Sequence, residues 1–266
     1  MGILNVTPDS FAETGSRLDP DRAIAAAVEM EAQGADLVDV GGESTRPGAE
    51  PLSADEELAR VLPVLKGLAG RLRVPLSIDT YKADVARAAL DAGASFVNDV
   101  SGLRHDPALM RVVAERGAAL VLMHSRGGSK TMYADAVYGD VVADVVGELK
   151  ASLARAVAGG VAIERIIVDP GVGFAKRPEH SYGVLARLAE LAAALARPVL
   201  VGPSRKSFMR SALGDRPSVE RDWGTAAAVT AAVLAGAHIV RVHAIAEMVQ
   251  VVRVADEIRR AATNDC

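Results

Sequence analysis

The sequence predicts an eightfold parallel α/β barrel, and three observations predict it. Eight short, apolar, β-branched runs alternate along the chain with segments of helical period, the pattern of repeated βαβ units. Each run ends in a polar cluster, and in such a barrel the C-terminal strand ends carry the active site. The length of 266 residues suits one barrel domain over 1–266, since about 250 residues is typical. A doubly wound sheet would tend to have a Gly-rich phosphate turn after its first strand. Here that turn reads Asn5-Val6-Thr7-Pro8-Asp9-Ser10.

The strands are read at 2–6, 37–41, 76–80, 96–100, 120–124, 166–169, 199–202 and 239–243. They are continuous rather than alternating, as expected when both faces are buried. Between them lie segments with helix start signals. Asp19-Pro20-Asp21 precedes a helix over 22–33, Ser53-Ala54-Asp55-Glu56 forms a capping box before 57–68, and Asp106-Pro107 precedes 108–116. Gly34, Gly93, Gly117, Gly159-Gly160 and Gly236 stand near helix ends, where left-handed caps favour Gly. The loops after strands one (7–18), two (41–52), five (125–139) and seven (203–217) are long, and long loops on a rigid scaffold are usually functional. The first strand starts almost at Met1, so no preceding hairpin is expected to close the barrel bottom.

Composition excludes several classes. The formal net charge is −4, with no long basic run, so no nucleic-acid partner is expected. No membrane span or signal peptide is expected either, because no apolar stretch has the right length and texture. The lone cysteine, Cys266, rules out an internal disulfide and fits a cytoplasmic setting.

The strand ends supply the candidate chemistry. Asp79, Asn98 and Asp169 end three strands at one level, and acceptors of this kind suit a flat heterocycle with an N–C(NH2)–NH edge. The competing reading is that they cap the next helix or pair with Arg inside the barrel. Lys206, in Ser204-Arg205-Lys206-Ser207, together with Arg241 and His243, follows the two strands whose loops often bind phosphate, the competing reading being a solvated basic loop. Asn5 is a neutral oxygen donor able to join phosphate oxygens around Mg2+. Glu43-Ser44-Thr45-Arg46-Pro47-Gly48 and Asp9-Ser10-Phe11 read either as ordinary turns or as lids over an anion. His124, next to Met123, is as well explained by a structural histidine. No HExxH, CxxC, Walker A or GxSxG element occurs.

Taken together, seven motifs in order resemble the bacterial dihydropteroate synthases. They are 2–11 (Gly-Ile-Leu-Asn-Val-Thr-Pro-Asp-Ser-Phe), 39–49, Ser77-Ile78-Asp79-Thr80, Asn98-Asp99-Val100-Ser101-Gly102, Asp169-Pro170-Gly171-Val172-Gly173-Phe174, Ser204-Arg205-Lys206-Ser207 and Arg241-Val242-His243. The resemblance implies condensation of 6-hydroxymethyl-7,8-dihydropterin diphosphate with p-aminobenzoate to 7,8-dihydropteroate and pyrophosphate. It implies pterin contacts from Asp79, Asn98, Val100, Met123, Asp169 and Lys206. The diphosphate would meet Asn5, Thr45, Arg46, Arg241 and His243, with Mg2+ beside Asn5. Phe11, Thr45, Arg46, Pro47, Phe174, Lys206 and Ser207 would surround p-aminobenzoate, and Asp9, Asp79, Lys206 and Arg241 would be the catalytic set. It also implies a homodimer through the last helices, where Met248, Val249, Val251, Val252 and Val254 make an apolar segment.

The chain departs from the family pattern in three loops: Ala12-Glu13-Thr14-Gly15 after Phe11, Met123-His124-Ser125 in loop five, and Pro203 before Ser204. A methyltetrahydrofolate:corrinoid methyltransferase-like barrel would share the Asp and Asn positions but has no diphosphate to need Lys206 and the Thr45-Arg46 loop. A non-catalytic pterin-binding paralogue is the other alternative.

Overall fold

Strands β1 (Gly2–Asn5), β2 (Val38–Gly41), β3 (Leu76–Asp79), β4 (Phe96–Asp99), β5 (Ala119–Met123) and β6 (Ile166–Asp169) pair in parallel, in chain order. The pair β7 (Leu200–Val201) and β8 (Ile239–Val240) completes the ring. Bridges from Val168 to Val199 and from Gly2 to Val242 close it, with Ile3 N–H donating to the Val242 carbonyl at 3.0 Å. The chain thus forms the expected barrel in a computed structural model that describes residues 1–7, 19–44, 48–128 and 133–264. The last two strands are shorter than the sequence implies. Pro203 has no N–H to extend the ladder of β7, and beyond Val240 only Val242 continues it, as a bridge.

Helices α1 (Pro20–Ala32), α2 (Ala54–Leu68), α3 (Ala83–Asp91), α4 (Ala108–Arg116), α5 (Val141–Ala158), α6 (Pro178–Ala186), α7 (Leu188–Leu195), α8 (Asp222–Leu234) and α9 (Ile245–Asn264) surround the strands. Their ends follow the sequence signals. Asp19 accepts from the Asp21 N–H at 3.0 Å, and the Ser53–Glu56 box is formed, with Glu56 N–H on Ser53 Oγ at 3.2 Å. Gly117, at φ +59°, turns the chain out of α4 so that Ala118 N–H reaches the Val113 carbonyl, a left-handed cap that a side chain would strain. No helix among the described residues is long and apolar enough to cross a membrane.

The barrel wall divides its side chains by parity. Outward residues such as Leu4, Val38, Val40, Ile78, Val97, Leu122, Val168 and Val201 join the helices in one large core. Inward residues form a smaller cluster of Met1, Leu37, Val121, Ile167 and Leu200, with Phe96 and Ile239 against it. Two residues further along the strands, the inward positions become Asp39, Asn98, Met123, Asp169 and Arg241. The interior is therefore apolar at its lower end and polar towards the mouth. A cavity of about 640 Å³ lies at the lower end, between Met1, Phe96 and Ile239 and the α9 residues Met248, Val249 and Val252.

Candidate functional site

Strand register builds the site. Asn5 pairs with Gly41, Gly41 with Asp79 and Asp79 with Asn98, while Met123 pairs with Asp169. Asn5, Asp79 and Asn98 thus stand in one row, and Gly41 leaves the space between two of them open. Arg241 crosses from β8 to this row: its Nε donates to Asp39 Oδ2 at 2.6 Å and its Nη2 to Asp79 Oδ2 at 2.8 Å. Asn98 Nδ2 donates to the same Asp39 oxygen at 2.9 Å. Asp79 and Asn98 are held by partners within the barrel rather than as caps. Asp99, the outward neighbour of Asn98, instead folds the turn that follows, accepting from Ser101 and Leu103 N–H groups at 2.7 and 2.6 Å. Asp39 Oδ1 and Asp79 Oδ1 are buried and find no partner among the described residues. A buried acceptor without a donor is costly, so these oxygens suit a ligand that brings N–H groups. Burial pushes the Asp79 carboxyl up to about 7, against the pull of Arg241.

Asp169 ends β6 and accepts from Gly171 N–H at 2.7 Å. Burial raises its carboxyl above the usual range, opposed first by Lys206. Lys206 Nζ donates to the Val172 carbonyl at 2.6 Å and stands 4.0 Å from the centre of the Phe174 ring, a cation–π contact. This brings Asp169, Phe174 and Lys206 together as the sequence implies. Gly171 is required here: at φ +66°, an added Cβ would stand 1.9 Å from the His124 carbonyl oxygen. We expect Gly171→Ala to displace the turn, with a stability loss of at least about 1–2 kcal/mol from left-handed strain alone and weakened ligand binding at the mouth. An unchanged thermal midpoint would contradict this.

Lys206 is held at about 7 by burial, with Asp169 opposing. A lysine whose folded pKa is lowered costs stability fully below that value. The cost fades as pH rises toward about 10.4, where the unfolded lysine also loses its proton. Lys206→Met is therefore expected to gain most thermal stability over the parent below pH 7 and to lose that advantage between pH 7 and 10. Melting curves across that range check it, and an advantage independent of pH would refute it.

The remaining predicted positions divide. Ser204 Oγ and His243 Nδ1 lie 2.8 Å apart, fixing the imidazole next to the end of β8. Val100 is half-buried two residues past Asn98, Met123 is buried, and Ser207 is exposed with its Oγ 3.4 Å from the Tyr133 hydroxyl. Arg205, the neighbour of Lys206, pairs with Asp222 at 2.8 and 2.7 Å and fastens loop seven to α8. Asp9, Phe11, Thr45, Arg46 and Pro47 lie outside the described residues.

Three groups escaped the sequence reading. Asp39 stands among the strand-end residues, yet only the structure gives it a partner set. Lys176 is 1% exposed; its Nζ meets His124 Nδ1 at 2.8 Å and the Phe174 carbonyl at 3.2 Å, and His124 Nε2 meets Glu148 at 3.0 Å. Burial lowers Lys176 to about 7 and His124 to about 4, while the bond to His124 leads in lowering Glu148 to about 2. His124 is thus a structural residue joining loops five and six. The third group is Glu43, which binds Lys82, Tyr81 and the Leu52 N–H, while Lys82 also reaches the buried Glu57. Glu43 and Leu52 bracket loop two. The only sequence hint of either cluster was a charged residue set in apolar surroundings.

A parallel barrel whose mouth holds buried acceptors, a lysine and an arginine defines an enzyme-like binder of an N–H-rich heterocycle. Residues 1–243 match the family described as pterin binding enzymes. A dihydropteroate synthase of Synechocystis is 46% identical over 98% of this chain and 90% of its own. The solved Yersinia pestis dihydropteroate synthase, in a sulfonamide drug complex, is 41% identical with a TM-score of 0.92, covering 98% and 94% of the two chains. That of Burkholderia cenocepacia, complexed with 7,8-dihydropteroate, is 45% identical with a TM-score of 0.88, covering 99% and 92%. The chain belongs to the pterin-binding enzymes and, among them, to the dihydropteroate synthases.

Proposed function

We propose that the chain, as one barrel domain, condenses 6-hydroxymethyl-7,8-dihydropterin diphosphate with p-aminobenzoate. The products are 7,8-dihydropteroate and pyrophosphate. The observation that carries this reading is the buried Asp79 oxygen that finds no donor among the described residues, set between Asn98 and Arg241. The pterin edge would donate to Asp79, Asn98 and Asp169, with Met123, Val100 and Lys206 around the ring. Arg241, His243 and Asn5, joined by Thr45 and Arg46, would hold the diphosphate. Asn5 offers one hard oxygen, and no cluster of three or more His, Cys, Asp or Glu residues among those described fits a metal. That donor fits Mg2+ held chiefly by diphosphate oxygens and water, where it would neutralise leaving-group charge. Cleavage of the exocyclic C–O bond sends its electron pair out with pyrophosphate and leaves a cation conjugated to the ring. The carboxylates of Asp79 and Asp169 favour that cation, a preorganised electrostatic effect. The arylamine nitrogen then bonds to the exocyclic carbon and gives up one proton.

Phe11, Pro47, Phe174, Lys206 and Ser207 would enclose p-aminobenzoate, with Asp9 among the catalytic groups. Phe11 and Pro47 come from the long loops one and two, and fixing a loop residue costs about 1–2 kcal/mol, which diphosphate contacts from Thr45 and Arg46 would offset. We therefore expect p-aminobenzoate and its sulfonamide mimics to bind only with pterin diphosphate or pyrophosphate present. Micromolar binding to the free enzyme in a calorimeter would defeat that order. The protein would act in the cytoplasm as a homodimer through α9. There Met248 is buried and Val249, Val251 and Val252 are partly covered, but Val254 is 62% and Ile258 52% exposed. The direct test is pyrophosphate release and dihydropteroate formation by the purified protein given both substrates. Pterin binding without turnover would indicate a non-catalytic pterin-binding barrel instead.

A further inference from the structure

Asp39 is 0% exposed, ends no turn and caps no helix, yet retains a carboxylate in the barrel interior. A charge so placed is costly unless its bonds are used. One oxygen is used twice, by Asn98 Nδ2 at 2.9 Å and by Arg241 Nε at 2.6 Å. The amide of Asn98 can be turned either way on its own axis, and its partners decide between the two. Against a carboxylate oxygen only the NH2 end is tolerated, because the reverse turn sets two acceptors face to face. The carbonyl of Asn98 is then necessarily directed away from Asp39.

We propose that Asp39 is a positioning residue that sets the donor–acceptor pattern of the ligand slot by fixing Asn98 as an acceptor. This rests on the pterin reading of the site and deepens it. With Asn98 so turned, the slot offers acceptors from Asp79, Asn98 and Asp169 and a single donor from Lys206. Such a set takes the amino-amide edge of a 2-amino-4-oxo pteridine. It discriminates against a 2-oxo pteridine, whose carbonyl would face carbonyl and carboxylate oxygens. A polar slot leaves mismatched groups unpaired, which is a stronger filter than shape. Arg241 shares the Asp39 oxygen, so the same carboxylate aligns the cation that spans β2, β3 and β8.

The test compares two substitutions at position 39. Asp39→Asn can keep a carbonyl oxygen where Asn98 Nδ2 and Arg241 Nε both donate, and is expected to hold the KM for the pterin diphosphate within about threefold of the parent. Asp39→Ala removes that oxygen and is expected to raise the same KM at least tenfold, with the p-aminobenzoate KM unchanged in both variants. An Asp39→Ala protein with a parental pterin KM, or an Asp39→Asn protein as impaired as Asp39→Ala at parental thermal stability, overturns the assignment. Both variants are also read by equilibrium binding of 7,8-dihydropterin and, separately, of pyrophosphate, which needs no turnover. A tenfold or greater loss in Asp39→Ala confined to the pterin supports positioning through Asn98; an equal loss of pyrophosphate overturns it in favour of Arg241. A parent protein that binds no pterin overturns both this assignment and the reading beneath it. Pterin binding by the parent and by Asp39→Ala alike overturns Asp39 alone.

Discussion

Asp169→Asn is expected to lower pterin affinity roughly a hundredfold or more while leaving the thermal midpoint nearly unchanged. Asp169 is buried at the end of β6, and an ionised carboxylate there accepts only. Replacing one oxygen by an NH2 removes charge-assisted acceptance, worth about 1.5–3 kcal/mol per bond, and turns a donor toward ligand N–H groups. Folding is spared because the remaining carbonyl can still accept from Gly171 N–H, 2.7 Å from Asp169 Oδ1. Burial of the charge, which lifts this carboxyl above its usual range, also disappears. Calorimetry with the pterin decides it, and unchanged affinity would remove Asp169 from the site.

Arg241→Ala is expected to damage stability as well as function. The guanidinium stands between Asp39 and Asp79 at 2.6 and 2.8 Å. Removing one member of a buried ion cluster leaves uncompensated charge, typically about 3–5 kcal/mol, or a fall in melting temperature on the order of 10 °C. Without Arg241, burial would lift Asp79 beyond the value of about 7 that it already reaches. The folded state would then keep protons that the unfolded state releases above about pH 4. The variant's stability accordingly falls as pH rises through that window, and its deficit should be smaller at pH 5 than at pH 8. Of the two substrates, the diphosphate should suffer the greater rise in KM. A pH-independent deficit, or equal rises for both substrates, would count against the arrangement.

Much of the barrel was legible because parallel βαβ units write themselves twice, in apolar runs and in the Gly and Asp signals between them. The starts of α1 and α2 and the end of α4 fall close to the residues that signal them. The polar strand ends marked the mouth, and parity alone puts Asp79 and Asn98 inside. What the sequence concealed is pairing across distance. Asp39 and Arg241 are 202 positions apart, and no local pattern says that one binds the other. The same holds for Lys176 and His124, 52 apart. Nor does the sequence tell Arg205 from Lys206, two adjacent cations in one loop; only the position of Asp222 makes the first a strut. The short β7 and β8 escaped because ladder length depends on neighbouring strands, not on hydropathy.

The ionic knot of Glu43, Lys82 and Glu57 has a consequence for how such a protein can change over generations. It ties both feet of loop two, through Glu43 on one side and the Leu52 N–H on the other, to β3 and α2. The two ends of loop two, at Glu43 and Leu52, are therefore held to each other and to the barrel wall. A substitution or insertion between those ends is expected to leave Asp39 and Asp79 in place. The lineage is free to revise what it admits at the mouth while the slot beneath stays as it was. A change at Glu43 has no such freedom, since it would loosen both ends at once.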